Sequence, residues 1–291
     1  MNIDLFIINP ISGDTDKITI ANAISQFSLK RRTPYAVLYT TDKNDEVTIK
    51  QTIDLYQPER VIVCGGDGTF NLVASLVLGS QVKLGLIPAG SANGLATELK
   101  IPSSINEALE VLNRNKLLAI DGVRFNDSLY SFHLSDFGFN AKMIAEFEKQ
   151  GTRGMISYAK AFFKSLSDET VASYELSVNG KTIEREAEMI VIANAARYGT
   201  GAVVSPSSKL HDGYFEIVVF KPIPRVKLVN LTLSAFLGSL ENSPYVEIIR
   251  AKKAHIATKT PQYFQVDGQV QGRLSEVSVG IVENAINVLV P

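Results

Sequence analysis

Gly65-Gly66-Asp67-Gly68-Thr69, followed by Asn71, is the stretch of this 291-residue chain best suited to chemistry. It closes the apolar run Val61 to Cys64, which reads as a buried parallel strand, and Thr69 to Leu78 reads as the helix that follows. Three glycines within four positions let the backbone turn sharply and bring its N–H groups close to an anion. The dipole of the following helix points at the same place. A bare carboxylate at Asp67 repels phosphate unless a metal or a substrate hydroxyl is also present. That conflict points to phosphoryl transfer.

The elements that must position this corner repeat it. Ile3 to Asn9 reads as a strand ending in Asn9-Pro10-Ile11-Ser12-Gly13, with Asp14 or Thr15 capping a helix that ends near Arg32. Tyr35 to Tyr39 alternates like a strand, and Asp42 to Tyr56 reads as a helix. Lys83 to Ile87 is a further strand, and Pro88 to Gly94 is another glycine-rich corner. Short helices follow at Leu95 to Leu99 and Ile105 to Leu112. Alternation of strand and helix to about Asn113 predicts an α/β domain with an open parallel sheet and helices on both faces. Ligands of such sheets collect at the carboxyl ends of the strands, where all three corners lie. They carry Asn9, Ser12, Asp67, Thr69, Asn71, Ser91 and Asn93. No corner is a Walker A loop, and an acid at Asp67 falls where a dinucleotide-binding turn holds pyrophosphate. Ser91 directly follows Gly90, which rules out a hydrolase nucleophile elbow.

The rhythm changes after Lys116. Leu117 to Phe125 and Leu129 to Leu134 read as strands, and a helical stretch runs from Ala141 to Ser167 with a break at Gly151 to Gly154. Ser173 to Val178 and Thr182 to Glu186 flank Asn179-Gly180, a two-residue hairpin signal. Glu188 to Ala195, Tyr214 to Phe220, Val246 to Thr258, Tyr263 to Val266, Glu276 to Ile281 and Ala285 to Val290 add strands, with one helix at Arg225 to Leu240. This half is predicted to be β-rich, a sandwich. The formal charge of −1 indicates no bulk attraction to nucleic acid. His133, His211 and His255 lack zinc spacing, and Lys30-Arg31-Arg32, like Arg250 with Lys252-Lys253, reads as solvated surface. Cys64, the lone cysteine, lies in a strand, so a reducing compartment is expected. No basic-then-apolar leader or bilayer-length apolar run is seen.

Asn9-Pro10 with Ser12-Gly13, Gly65-Gly66-Asp67-Gly68-Thr69 with Asn71, and Pro88-Ala89-Gly90-Ser91 with Asn93 resemble the diacylglycerol kinase catalytic-domain family. This family takes in bacterial lipid kinases and sphingosine kinases and is distantly related to NAD kinase. The likeness continues through Gly138-Phe139-Asn140-Ala141, Tyr198-Gly199 with Pro206, Asp212-Gly213 and Asp267-Gly268, spanning nearly the whole chain in the family's order.

The resemblance implies a nucleotide-binding α/β domain at 1–124 and a β-sandwich lipid domain at 125–283, with ATP and lipid meeting between them. A final strand at about 284–291 returns to the first domain. Thr40 and the corner Gly65, Gly66, Asp67, Gly68, Thr69 and Asn71 would hold ATP, with Asn9, Ser12, Gly90, Ser91 and Asn93 near the phosphates. Asp67 would hold the catalytic Mg²⁺ or act on the attacking hydroxyl, and Asp121 would orient or deprotonate the lipid hydroxyl. The plain alternative for Asp121 is a strand-end turn residue. Lys209, Asp212 and Tyr214 match a Mg²⁺ site of bacterial members, built from the acid side chain and two main-chain carbonyls; read alone, Asp212-Gly213 is a turn.

Two departures stand out. Gln269 replaces a glutamate proposed as general base in many bacterial members, and an amide cannot accept the proton. Gly94 replaces an acid, which brings the Ser91-Ala92-Asn93 form closer to sphingosine kinases. The apolar face of Ala141 to Ser167 reads as core or as lipid pocket, and Lys142, Lys149, Arg153, Lys160 and Lys164 would favour an anionic membrane surface. The expectation is an ATP- and Mg²⁺-dependent kinase for diacylglycerol or a sphingoid-type lipid, cytoplasmic and peripheral at the membrane. It would touch the membrane transiently and bind no nucleic acid; a homodimer is left open. The rivals are an NAD kinase-like enzyme and a silent nucleotide-binding homologue.

Overall fold

Apolar runs early in the chain form parallel strands in the computed structural model, which describes residues 3–13, 17–41, 43–138, 171–198 and 201–291. They are β1 (Asp4–Ile8), β2 (Tyr35–Tyr39), β3 (Arg60–Gly65) and β4 (Lys83–Pro88), in the spatial order β4-β3-β1-β2. The end of the last strand, β14 (Gln269–Leu289), adds to β4 in parallel, with Asn287 opposite Lys83. Val61, Ile62, Val63 and Cys64 are fully buried, which explains an apolar run without alternation. Helices α1 (Lys17–Arg31), α2 (Asp45–Tyr56), α3 (Asp67–Leu76), α4 (Gly94–Glu98) and α5 (Ile105–Arg114) connect the strands or follow them. At the start of the sheet, Arg60 on β3 grips Asp4 on β1 through two hydrogen bonds and donates to the Leu112 carbonyl at 3.1 Å. All of these groups are buried, so the sheet has a buried charge pair at its amino end and glycine corners at its carboxyl end.

The chain folds as two units, one of Met1–Ile120 with Asn284–Pro291 and one of Asp121–Glu283. The border lies inside β5 (Leu117–Phe125), ahead of the expected border at 124/125. From Asp121 onward β5 belongs to the second unit: the Asp121 N–H donates to Leu210 O, and Val123 to Phe125 pair with β6 (Leu129–Ser131).

In the second unit β12 (Val246–Ala251), β11 (Phe215–Phe220), β10 (Met189–Ala193), β7 (Leu134–Gly138) and the end of β13 (Lys253–Val266) form an antiparallel run. The first part of β13 pairs instead with β8 (Ala172–Val178), which pairs with β9 (Lys181–Ala187). Alternation does the layering. Ile190 and Ile192 of β10, with Ile217 of β11, pack against Tyr174, Leu176 and Ile256 in one core. Met189, Val191 and Val218 face the other way, onto Leu231 and Ala235 of α6 (Leu228–Phe236).

The expected strand 129–134 is two strands, because the Asp267 carboxylate draws in the N–H groups of Phe132, His133 and Leu134 and interrupts the ladder. The runs 276–281 and 285–290 lie in the single long strand β14, while the run 246–258 divides near Lys252. The predicted helical stretch 141–167, with its apolar face and its lysines, lies outside the described residues.

Candidate nucleotide site and the loop before β11

The helix after β3 begins earlier than its sequence suggests. Asp67 is its first residue, Gly66 is its N-cap, and no side chain caps it. The first bond of the helix is Phe70 N–H to Gly66 O, which leaves the N–H groups of Asp67, Gly68 and Thr69 without an intrahelical acceptor. A ten-residue helix thus opens with uncapped donors in a glycine turn, a suitable seat for a phosphate.

Side chains from the other corners fix the shape of this turn. Asn9 Nδ2 donates to Thr69 Oγ1 at 3.0 Å, and Asn9 Oδ1 accepts the Ile11 N–H at 3.1 Å. Ser12 Oγ donates to Ala89 O at 3.1 Å, tying the β1 corner to the β4 corner. Asn93, in the left-handed region, closes on Gly90 reciprocally: its Oδ1 accepts the Gly90 N–H and its Nδ2 donates to Gly90 O. Two corners touch backbone to backbone, since a Cβ on Gly90 would stand 2.5 Å from Gly66 Cα and one on Gly66 would stand 3.2 Å from Gly90 Cα. A Cβ on Gly65 would meet Thr69 at 2.8 Å. Gly65 and Gly90 are therefore required by packing within the site itself, while a side chain at Gly66 would fit only if the β4 corner gave way slightly.

Asp67 has a definite partner. Its Oδ2 accepts the N–H of Gly94 at 2.8 Å and its Oδ1 that of Leu95 at 2.9 Å, the first two residues of α4. The carboxylate holds the β4 corner against α3. Two of its roughly four acceptor positions are used this way, leaving others for a metal or a hydroxyl.

Thr40 follows β2 and is buried; its Oγ1 has no hydrogen-bond partner among the described residues. An orphaned hydroxyl next to β1, whose end carries one of the glycine corners, fits a ligand that brings its own acceptor. Ser91 is exposed in the β4 corner. Asn71 lies one turn into α3, and Gly68 is the second residue of that helix. The structure thus brings Asn9, Ser12, Gly65, Gly66, Asp67, Thr69, Gly90 and Asn93 into one bonded and packed network. A groove of about 600 Å³ between α1 and α5 is lined by none of them.

Asp121, Lys209, Asp212, Tyr214 and Gln269 belong to the second unit. Asp121 is 2 % exposed, and its Oδ2 accepts the Gly213 N–H at 2.7 Å. It holds the turn before β11 and is no strand-end residue. Lys209 is exposed on the way into that turn. Asp212 Oδ1 accepts the Tyr214 N–H at 3.2 Å, and Asp212 Oδ2 accepts from Arg250 Nη2 at 2.7 Å. Among the described residues no three His, Cys, Asp or Glu side chains converge as a metal centre. Beside this turn, burial raises the Glu216 carboxyl above its ordinary range, opposed by a hydrogen bond from Ser208. From the sequence Arg250 reads as solvated surface and Glu216 is not singled out; the signal that joins them is register, which sets Arg250 opposite Glu216 on adjacent strands. Gln269 is exposed at the tip of the β13–β14 hairpin, directly after Asp267-Gly268, both of positive φ. Gly199, the partner of Tyr198 in the sequence motif, lies outside the described residues.

Comparison with known proteins also finds two parts, the second running on to residue 290. The family model described as the diacylglycerol kinase catalytic domain matches residues 4–125. The model described as the YegS C-terminal NAD kinase beta sandwich-like domain matches residues 136–290. A diacylglycerol kinase of Staphylococcus aureus is 25% identical over 98% of this chain and 91% of its own length. A Yersinia enterocolitica protein named "Probable lipid kinase YegS-like" is 27% identical over 80% of this chain and 79% of its own. A crystal structure titled as a diacylglycerol kinase from Bacillus anthracis superposes with a TM-score of 0.79 at 20% identity, covering 100% of this chain and 97% of that one, which establishes the fold. Among the described residues no helix is long and apolar enough to cross a membrane.

Proposed function

Because the chain belongs to the diacylglycerol kinase catalytic-domain family, we propose that it transfers the γ-phosphoryl group of ATP to the hydroxyl of a lipid, diacylglycerol or a sphingoid-type lipid. The observation that carries this reading is the uncapped start of α3, braced by the β1 and β4 corners. ATP, with its Mg²⁺, brings the phosphoryl group and the charge compensation that its transfer needs.

The chain's own part is positioning. The N–H groups of Asp67, Gly68 and Thr69 bind phosphate oxygens, and Asn9 holds the Thr69 hydroxyl in place. Thr40 and Ser91 contribute hydroxyl donors, and Ser12 and Asn93 keep the β4 corner in shape. Asp67 keeps α4 against the corner and offers its remaining acceptor positions to the metal or to the attacking hydroxyl. Asp121, buried and bonded to Gly213, acts by fixing the turn before β11 and does not meet the hydroxyl. The general base is then Asp67, since the Gln269 amide cannot take a proton. A lipid acceptor also implies transient contact with a membrane surface.

Two other readings have specific support. The model that matches residues 136–290 names NAD kinase beside YegS in its description, which admits a soluble acceptor. Gln269 at an exposed tip favours a silent homologue. Incubation with radiolabelled ATP and Mg²⁺ against diacylglycerol, sphingosine, ceramide and NAD, with products separated by chromatography, decides among them. Label on diacylglycerol or sphingosine is expected. Label on NAD alone assigns a soluble acceptor, and label on none of the four overturns the kinase reading.

A further inference from the structure

The turn before β11 carries a carboxylate, Asp212, that needs a counter-charge. Three observations say what supplies it. Arg250 on β12 reaches back and donates from Nη2 to Asp212 Oδ2 at 2.7 Å, while its Nε lies 3.6 Å from Glu216 Oε1. Its guanidinium carbon lies 3.9 Å from the centre of the Tyr214 ring, and Lys252 Nζ lies 4.9 Å from the same ring. The turn is fixed from below as well, since Asp121 Oδ2 holds the Gly213 N–H and Asp212 Oδ1 holds the Tyr214 N–H.

We infer that Arg250 is the built-in counter-cation of this turn, occupying the place that a divalent metal bound through Lys209, Asp212 and Tyr214 would take. The chemistry of the donor set supports it. A hard divalent cation at this turn needs the Asp212 carboxylate as its one anionic ligand, together with carbonyl and water oxygens. The Asp212 carboxylate is already charge-matched: a guanidinium donates to its Oδ2, and its Oδ1 accepts a backbone N–H. A divalent cation entering there would sit beside the fixed charge of Arg250 and would be repelled by it, while Lys252 is already paired with Glu283 at 2.7 Å. The guanidinium does the structural work of a metal without requiring one: it is planar, stays charged at every physiological pH, and combines an ion pair with stacking on an aromatic face. The Mg²⁺ that accompanies ATP is a separate matter and belongs to the first unit.

The test is thermal unfolding of the full chain without nucleotide, in EDTA and across a Mg²⁺ titration. The wild type is expected to unfold at the same temperature throughout. Arg250→Met, which keeps the stem and removes the charge, is expected to unfold about 2–4 °C lower in EDTA. It should regain part of that loss with Mg²⁺, and the regain should vanish when Asp212→Asn is added. Two results overturn the inference: a saturable Mg²⁺-dependent rise in the wild type that Asp212→Asn abolishes, or an Arg250→Met protein as stable in EDTA as the wild type. If Arg250→Met fails to fold, the wild-type and Asp212→Asn titrations still decide the question. The assay contains no ATP and no lipid, so its outcome is independent of the kinase reading.

Discussion

Asp67 is the residue on which sequence and structure say different things. Its spacing among glycines suggests an acid turned wholly to catalysis, whereas its two oxygens cap the start of α4. These roles are compatible, and a single substitution separates them from a purely structural one. In Asp67→Asn one oxygen becomes an NH₂ facing a backbone N–H, so one charge-assisted bond is lost and one donor is opposed, at a cost of about 1–3 kcal/mol. Turnover should fall by about 10²-fold or more, while exchange of the Gly94 and Leu95 amides accelerates. Unchanged turnover with accelerated exchange would leave Asp67 only its capping role. The cap was not legible because α4 lies 27 residues downstream, a contact that no local pattern carries. The orphaned hydroxyl of Thr40 and the reciprocal closure of Asn93 on Gly90 were equally hidden, although both residues stood out by family likeness.

At the scale of elements, the glycine corners are easier to read than their reasons. Periodicity located β1 to β4 and their helices, because buried parallel strands have continuous apolar runs and helices have interrupted ones. It could not say that Gly66 and Gly90 face each other across two corners. That contact gives a prediction. Gly90→Ala forces a methyl to 2.5 Å from Gly66 Cα and 2.9 Å from Asn93 Oδ1, and a backbone atom cannot move aside cheaply. Stability should drop by about 1–3 kcal/mol, and the KM for ATP should rise, both measurable on one preparation. A normal KM in a stable Gly90→Ala protein would separate the β4 corner from nucleotide binding. In the second unit the strands were mostly found and their joins were not: β14 is one strand of 21 residues where two shorter runs were expected. Long strands that serve two layers alternate differently along their length, and this blurs a period of two.

At the scale of the whole molecule, the border expected at 124/125 and the division of the chain between Ile120 and Asp121 both fall inside β5, which crosses from one unit to the other without a break. The layers of the second unit are joined by an ion pair that sequence could not reveal. Arg185 on β9 holds Glu247 on β12 through two hydrogen bonds of 2.9 Å, with Lys221 Nζ at 3.2 Å. The Arg185 hydrogen bond, opposed by burial and aided by Lys221, keeps the Glu247 carboxyl below its ordinary value of 4.5. A lowered folded-state value means that the stability it contributes is present above pH 4.5 and is lost as pH falls through the folded value. For this partly exposed pair the contribution is about 1 kcal/mol at most. The unfolding temperature of Glu247→Gln should therefore lie a few degrees below that of the wild type at neutral pH, and the gap should close in acid. A gap independent of pH would assign the loss to packing alone.

The measurement that reaches the central claim most directly is hydrogen–deuterium exchange of the full chain with and without ATP and Mg²⁺. Slowed exchange is expected in peptides covering residues 65–71, the proposed seat of the phosphates at the start of α3, with weaker slowing at 89–95 through the Asp67 tether. Saturating ATP that leaves 65–71 unchanged, or that protects another part of the chain in its place, would contradict the account.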